Sequence, residues 1–247
     1  MRLKIIEHPK IDLNIGQMVC DYSLGEHFER TPMLKCLDGF RFTAIIGRPG
    51  SGKTSTLISW LNGSGAKKVF RKVFDHVLLV MPSCSRESIK TSPFKKHDPA
   101  KCYEELTLET ADAIHQKLLA TSEEKETTLL VLDDIGASLK NKEIQRILRM
   151  ILFNRRHLKV HVLVLLQSYI SMPKEIRKLL DNVVMFKPSK VEFENLFAEL
   201  FETKRDDALA LMSMAYTDPH DSLFLNVPSQ RIFSDYDEIV MSDDEDD

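Results

Sequence analysis

An α/β fold, with a mostly parallel central sheet flanked by helices, is what the sequence predicts, and three observations predict it. Residues 42–46, 76–81, 128–132, 161–166 and 183–186 are short continuous apolar runs, the pattern of strands buried on both faces. Between them lie stretches with apolar residues at helical spacing, so strands and helices alternate along the chain. The first run feeds Gly47-Arg48-Pro49-Gly50-Ser51-Gly52-Lys53-Thr54-Ser55, which holds G-x-x-x-x-G-K-[ST] with Gly47, Gly52, Lys53 and Thr54 in the fixed places.

In chain order, residues 1–41 mix short apolar pieces with Pro9, Gly16, Gly25, Pro32 and Gly39, and read as a lead-in with a strand or two. The nucleotide loop follows. Its glycines let successive backbone N–H groups converge on an anion, and the helix predicted over 55–61 adds its positive end. In that role residues 47–55 bind ATP, Lys53 reaches the β- and γ-phosphates, and the Thr54 hydroxyl ligates Mg2+. Gly63-Ser64-Gly65 closes the helix. Residues 83–103 carry Arg86, Lys90, Lys95, Lys96 and Lys101 around Phe94 and Tyr103, the composition of a long basic loop that either contacts an anionic polymer or is simply solvated.

A helix over 108–120 precedes the run 128–132, which ends in Asp133-Asp134. An apolar strand capped by acids, at this distance after a phosphate loop, is the second nucleotide motif: Asp133 for the Mg2+ shell, Asp134 to orient or deprotonate the attacking water. A basic helix over 141–156 turns Ile144, Ile147, Leu148, Ile151 and Leu152 inward. The strand after it ends in Gln167, which can hold the lytic water or sense the γ-phosphate, or merely cap the strand. Helices over 173–180, 188–201 and 205–216 and a last strand over 222–227 complete one domain, residues 1–234.

Of the net charge of −3, eight acids fall in residues 235–247, which leaves +5 on residues 1–234. A mildly basic globule with an acidic, disordered tail is compatible with an anionic polymer as partner; the alternative reading is a tail that only solubilises. No apolar run reaches about twenty residues, so no membrane insertion is expected, and the N-terminus does not resemble a signal peptide. Cys20, Cys36, Cys84 and Cys102 are scattered, as free thiols in a reducing compartment are; Cys84, His97 and Cys102 fit no familiar metal spacing.

Several enzyme classes share the first motif. Asp133-Asp134-Ile135-Gly136 matches the D-x-x-G of a GTPase, but the guanine-reading N-K-x-D is missing. No nucleotide-kinase lid is legible, and 247 residues cannot hold a two-lobed helicase. A single-domain ATPase remains, too small to enclose DNA alone, which implies a ring of copies.

The stretch 129–136, then Asn154-Arg155-Arg156-His157, then 163–169 with Gln167, resembles the genome-packaging ATPases of poxviruses and other large DNA viruses, members of the FtsK–HerA superfamily of P-loop motors. The resemblance covers residues 42–190. It implies a RecA-like core in which the Gln-bearing strand separates the acidic strand from the phosphate-loop strand. It also implies a homo-oligomeric ring that drives double-stranded DNA into a preformed capsid, with capsid or portal-type proteins as partners, in the virion and the host cytoplasm or viral factory. By the same resemblance Lys53, Asp134 and Gln167 are catalytic, Thr54 and Asp133 hold the metal, and Arg156 is the best candidate for an arginine finger offered in trans. Arg155 and Arg177 stand as alternatives. The rival readings are a nucleotide-dependent assembly scaffold with slow turnover and a related DNA-transfer ATPase outside viruses.

Overall fold

The structure is a computed structural model that describes residues 22–87, 92–201, 203–234 and 237–240. After a 3-10 turn at Glu26–Arg30 come α1 (Pro32–Leu37), β1 (Phe42–Ile46), α2 (Lys53–Asn62), β2 (His76–Val80), α3 (Ser83–Glu87) and β3 (Cys102–Tyr103). Then follow α4 (Leu108–Glu123), β4 (Thr128–Asp133), α5 (Lys142–Phe153), β5 (Val160–Leu166), α6 (Lys174–Arg177) and β6 (Asn182–Phe186). The chain ends with α7 (Lys190–Leu200), α8 (Arg205–Ala215), β7 (Ser222–Asn226), β8 (Arg231–Ser234) and β9 (Asp237–Ile239).

The strands form one sheet in the order β3-β2-β4-β5-β1-β6-β7-β8-β9. From β3 to β6 all neighbours are parallel, and β6 to β9 form an antiparallel meander. The order places β5 between β1 and β4, as the resemblance implies. Parallel strands in adjacent register, Ile46 beside Leu166 and Asp133 beside Leu165, bring the loops after β1, β4 and β5 to one edge of the sheet.

Both faces are covered, which is why the central strands are apolar throughout. On one face α4, α5, α7 and α8 pack Ile114, Leu118, Ile147, Ile151, Phe193, Phe197 and Leu211 onto alternate strand residues such as Ala44, Leu130 and Val164. On the other, α1 and α2 bring Leu34, Leu57, Ile58 and Trp60 against Ile45, Val131, Leu163 and Phe224. Helix starts are set by side chains: Thr107 caps α4, and Asn141 Oδ1 accepts from the backbone N–H groups of Glu143 and Ile144 to cap α5.

At the strand starts the core is polar and satisfied. Arg155 reaches Asp181 at 3.0 Å, and the other Asp181 oxygen accepts from Phe42 N at 2.7 Å. His161, wholly buried, lies against Phe70 and Phe74 and engages Gly39 O through Nδ1 at 3.0 Å.

Several expectations are corrected. The described part of the lead-in is helical, with no strand before β1; residues 1–21 lie outside the described residues. The described residues of the 83–103 stretch are not one long loop. Ser92 and Asp98 cap two 3-10 turns, Phe94 is 5% exposed, and Cys102–Tyr103 adds an edge strand beside β2. Arg86 pairs with Glu104 and Lys101 Nζ lies 2.8 Å from His76, so of the expected basic contacts Lys95 and Lys96 stay exposed, while Lys90 lies outside the described residues. The boundary of the expected tail, set at residue 235, is also too early. β9 pairs with β8, and Glu238 grips Arg231 through two side-chain contacts. The acidic run 241–247 lies outside the described residues.

Candidate active site

The phosphate loop leaves β1 with Gly47 N donating to Leu166 O at 3.1 Å, which ties it to the end of β5. Two of its glycines are required sterically. A Cβ on Gly47 would lie 2.5 Å from Ser51 Oγ and 2.8 Å from Phe186 Cβ, and Gly52 sits at φ +115°, a left-handed conformation next to the Phe186 ring. The turn ends as α2 starts, with Thr56 N donating to Gly52 O. The free N–H groups of its first turn therefore point out of the loop.

Lys53 Nζ donates to Gly47 O at 2.6 Å and Arg48 O at 3.1 Å, folding the ammonium back over the loop. Asp133 and Asp134 stand across from it at the end of β4, and their charges act on it. Burial lowers the Lys53 pKa against the pull of both acids. Burial likewise raises that of Asp133, to about 6, with Asp134 adding to the rise and Lys53 and the Asp134 backbone N–H opposing it. In both groups desolvation outweighs mutual attraction, so the site is short of counter-charge: an anion beside Lys53 and a cation beside Asp133 would relieve it.

Asp134 is held at φ +52°, a left-handed conformation uncommon for a side-chain-bearing residue. Its N–H donates to Leu165 O at 3.1 Å, and Gln167 Nε2 donates to its Oδ1 at 3.2 Å. Adjacent strands thus aim an exposed carboxylate and an exposed amide at the same space. Thr54 is half-buried in the first turn of α2, and Ser51 Oγ is enclosed with no hydrogen-bond partner among the described residues. An orphaned hydroxyl, converging N–H groups, an under-compensated lysine and a carboxylate with a raised pKa together fit a polyphosphate with a divalent cation.

The structure therefore brings Lys53, Thr54, Asp133, Asp134 and Gln167 to one edge. It does not bring Arg156 there. Arg156 lies before β5, at the start of the strands, beside Arg41 and Lys159, about 16 Å away for a five-residue strand. Arg156 is exposed and makes no ion pair among the described residues, whereas its two alternatives are engaged. Arg155 binds Asp181, Phe40 O and Leu152 O, and Arg177 pairs with Glu199 over the Tyr169 ring.

Sequence reasoning missed Phe186 and His220. Both line the open cleft of about 550 Å3 over residues 50–56, and His220 Nδ1 lies 3.1 Å from Ser51 O. They come from the end of β6 and the turn before β7, where no motif marks them. Among the described residues no His/Cys/Asp/Glu group is arranged as a metal site. Of the Cys84, His97 and Cys102 set, His97 is engaged with Val77 O at 2.8 Å. No described helix is long and apolar enough to cross a membrane.

The chain matches the family described as Poxvirus A32 protein over residues 25–247. A comparison with curated proteins finds no match. Among solved structures, the genome packaging NTPase B204 from Sulfolobus turreted icosahedral virus 2, in complex with AMPPCP, is 15% identical with a TM-score of 0.59. That likeness covers 82% of this chain and 99% of that one. The cytoplasmic domain of the Thermomonospora curvata type VII secretion ATPase EccC is 16% identical with a TM-score of 0.54, over 83% of this chain and 26% of that one. At such identity these are likenesses of fold.

Proposed function

Because the chain belongs to the Poxvirus A32 protein family, a family of ATPases, we propose that it hydrolyses ATP to drive double-stranded viral DNA into a preformed capsid. The observation that carries the reading is the meeting of Lys53, Asp133, Asp134 and Gln167 at the ends of three adjacent strands. Residues 47–55 cradle the phosphates with backbone N–H groups, and Lys53 leaves its loop carbonyls for the β- and γ-oxygens. Asp134 accepts the proton of the attacking water, and Gln167, already bonded to Asp134, orients that water and reports the γ-phosphate. Thr54 and Asp133 are the residues that would hold Mg2+, which supplies Lewis-acid neutralisation of the phosphate oxygens.

Arg156 is too distant to act on its own subunit's nucleotide. In a closed ring the strand-start side of one copy can face the phosphate loop of the next, and there Arg156 stabilises charge on the transferring phosphoryl group. Homo-oligomerisation, DNA as cargo, capsid or portal-type partners, and action in the viral factory and virion all belong to this reading. The net +5 of residues 1–234 favours a polyanionic partner.

The test is the steady-state ATPase rate with and without linear double-stranded DNA, at low and moderate salt. Stimulation that weakens as salt rises is expected of a motor gripping the phosphate backbone. A rate indifferent to DNA at every salt concentration, in the ring and in the presence of capsid proteins, would favour a nucleotide-dependent scaffold instead.

A further inference from the structure

The Gln167 side chain is exposed and bonds to Asp134 Oδ1 at 3.2 Å, a contact for which water competes. Its aim is set by the residues after it. β5 stops at Leu166, and a 3-10 turn, Tyr169–Ser171, follows Gln167 and Ser168. The N–H that opens such a turn has no partner inside it. Tyr169 N donates to Glu192 Oε1 at 2.5 Å, and the same oxygen accepts from Ser168 Oγ at 2.7 Å. Ser171 Oγ closes the turn by donating to Ser168 O at 2.6 Å, and the wholly buried Tyr169 ring, under the Arg177 guanidinium, anchors it.

Glu192 reaches this turn from α7. Ser189-Lys190-Val191-Glu192 reads S-x-x-E, the capping box, in which the glutamate ordinarily returns to the N–H of the capping residue. Ser189 does cap, its Oγ accepting from Glu192 N at 3.3 Å. The half-buried Glu192 carboxylate turns to the tip of β5 instead. α7 itself starts shortly after Phe186, which lies against Gly47 and Gly52. One carboxylate therefore ties the turn after Gln167 to the element that follows the floor of the phosphate loop.

We propose that Glu192 is a positioning residue for ATP hydrolysis. By holding Ser168 and Tyr169 it fixes the direction in which Gln167 meets Asp134, an inference that rests on the reading of Gln167 as the residue that orients the attacking water. Glu192 lines no part of the cleft over residues 50–56, so its removal disturbs the aim of the amide and leaves the phosphate cradle in place. The effect then falls on turnover and not on ATP binding. An ionised acceptor makes the stronger hydrogen bond, but a neutral amide oxygen at the same place still receives both donors.

In the full protein with Mg2+, Glu192→Ala should lower kcat about tenfold or more while KM for ATP stays within about twofold. Glu192→Gln, which keeps the Oε1 acceptor, should return kcat to within about threefold of the parent. A cycle with Gln167→Ala tests the route: in that background Glu192→Ala should lower kcat by less than about twofold. An equal drop in both backgrounds, or an unchanged kcat in folded Glu192→Ala, would overturn the positioning role. If the alanine variant does not fold, Glu192→Asp keeps the charge a methylene short of the turn and is held to the same cycle. Parental kcat in Gln167→Ala alone would instead remove the reading of Gln167, and the inference with it.

Discussion

Burial keeps the His161 imidazole neutral, with its pKa pushed down to about 4, because a charge between Phe70, Phe74 and β1 would have no water. The bond to Gly39 O opposes the shift, and Arg41 and Arg155 reinforce it. A histidine whose folded pKa lies below its unfolded value supports the fold above about pH 6.5 and withdraws that support as pH falls toward 4, by up to about 3 kcal/mol. His161→Phe keeps the aromatic packing and should flatten the loss of stability between about pH 6.5 and 4, measured by urea unfolding across that range. At the active edge, Lys53→Ala should abolish hydrolysis, and wild-type turnover in that variant would refute the site. Asp134→Asn should bind ATP yet hydrolyse it about 100-fold more slowly, the scale of general-base loss. Loss of ATP binding instead would mean that Asp134 holds ligand rather than water.

Among elements, the turn between α5 and β5 carries two adjacent arginines with opposite duties. Arg155 neutralises buried Asp181, which in turn holds Phe42 N at the start of β1. Its removal strands a buried carboxylate, so Arg155→Ala should lower stability by about 3 kcal/mol or more, read as a shift of the urea midpoint at constant slope. Arg156→Ala should leave stability within about 0.5 kcal/mol, since the side chain is exposed and has no ion pair among the described residues, while lowering ATPase activity. The basic face of α5 is less free than its composition suggests. Arg146 pairs with Glu143 and Arg149 with Glu175, which leaves exposed Phe153 and Met150 between partly neutralised cations.

At the scale of the whole molecule, one face of the sheet edge holds the nucleotide loop and the opposite edge holds Arg156, a polarity that a head-to-tail ring would use. Alone, Lys53→Ala is expected to be inactive and Arg156→Ala to hydrolyse ATP more slowly. Mixed into one ring, a subunit with an intact loop and a neighbour with an intact arginine restore complete sites, so activity should partly recover. No recovery, with both variants shown to co-assemble, would place the finger elsewhere.

What was legible in the sequence was local chemistry. The phosphate loop is contiguous because its conformation needs glycines at set positions, and Asp133 and Gln167 are marked by the apolar runs that end in them. The parallel strands are readable for the same reason, since a strand covered on both faces must be apolar along its length. β8 and β9 were not, being short and carrying charged residues near the sheet edge, and neither was the fold of 83–103, whose 3-10 turns have no long period to detect. The sequence by itself marked the candidates for binding phosphate, metal and water. Only the tertiary structure decided that Phe186 and His220 wall the cleft, that Arg155 and Arg177 are engaged internally and that Arg156 is exposed without an ion pair among the described residues. Those are outcomes of packing between segments far apart in the chain, where the partner that neutralises a charge or closes a cleft is supplied by another strand and leaves no mark beside it.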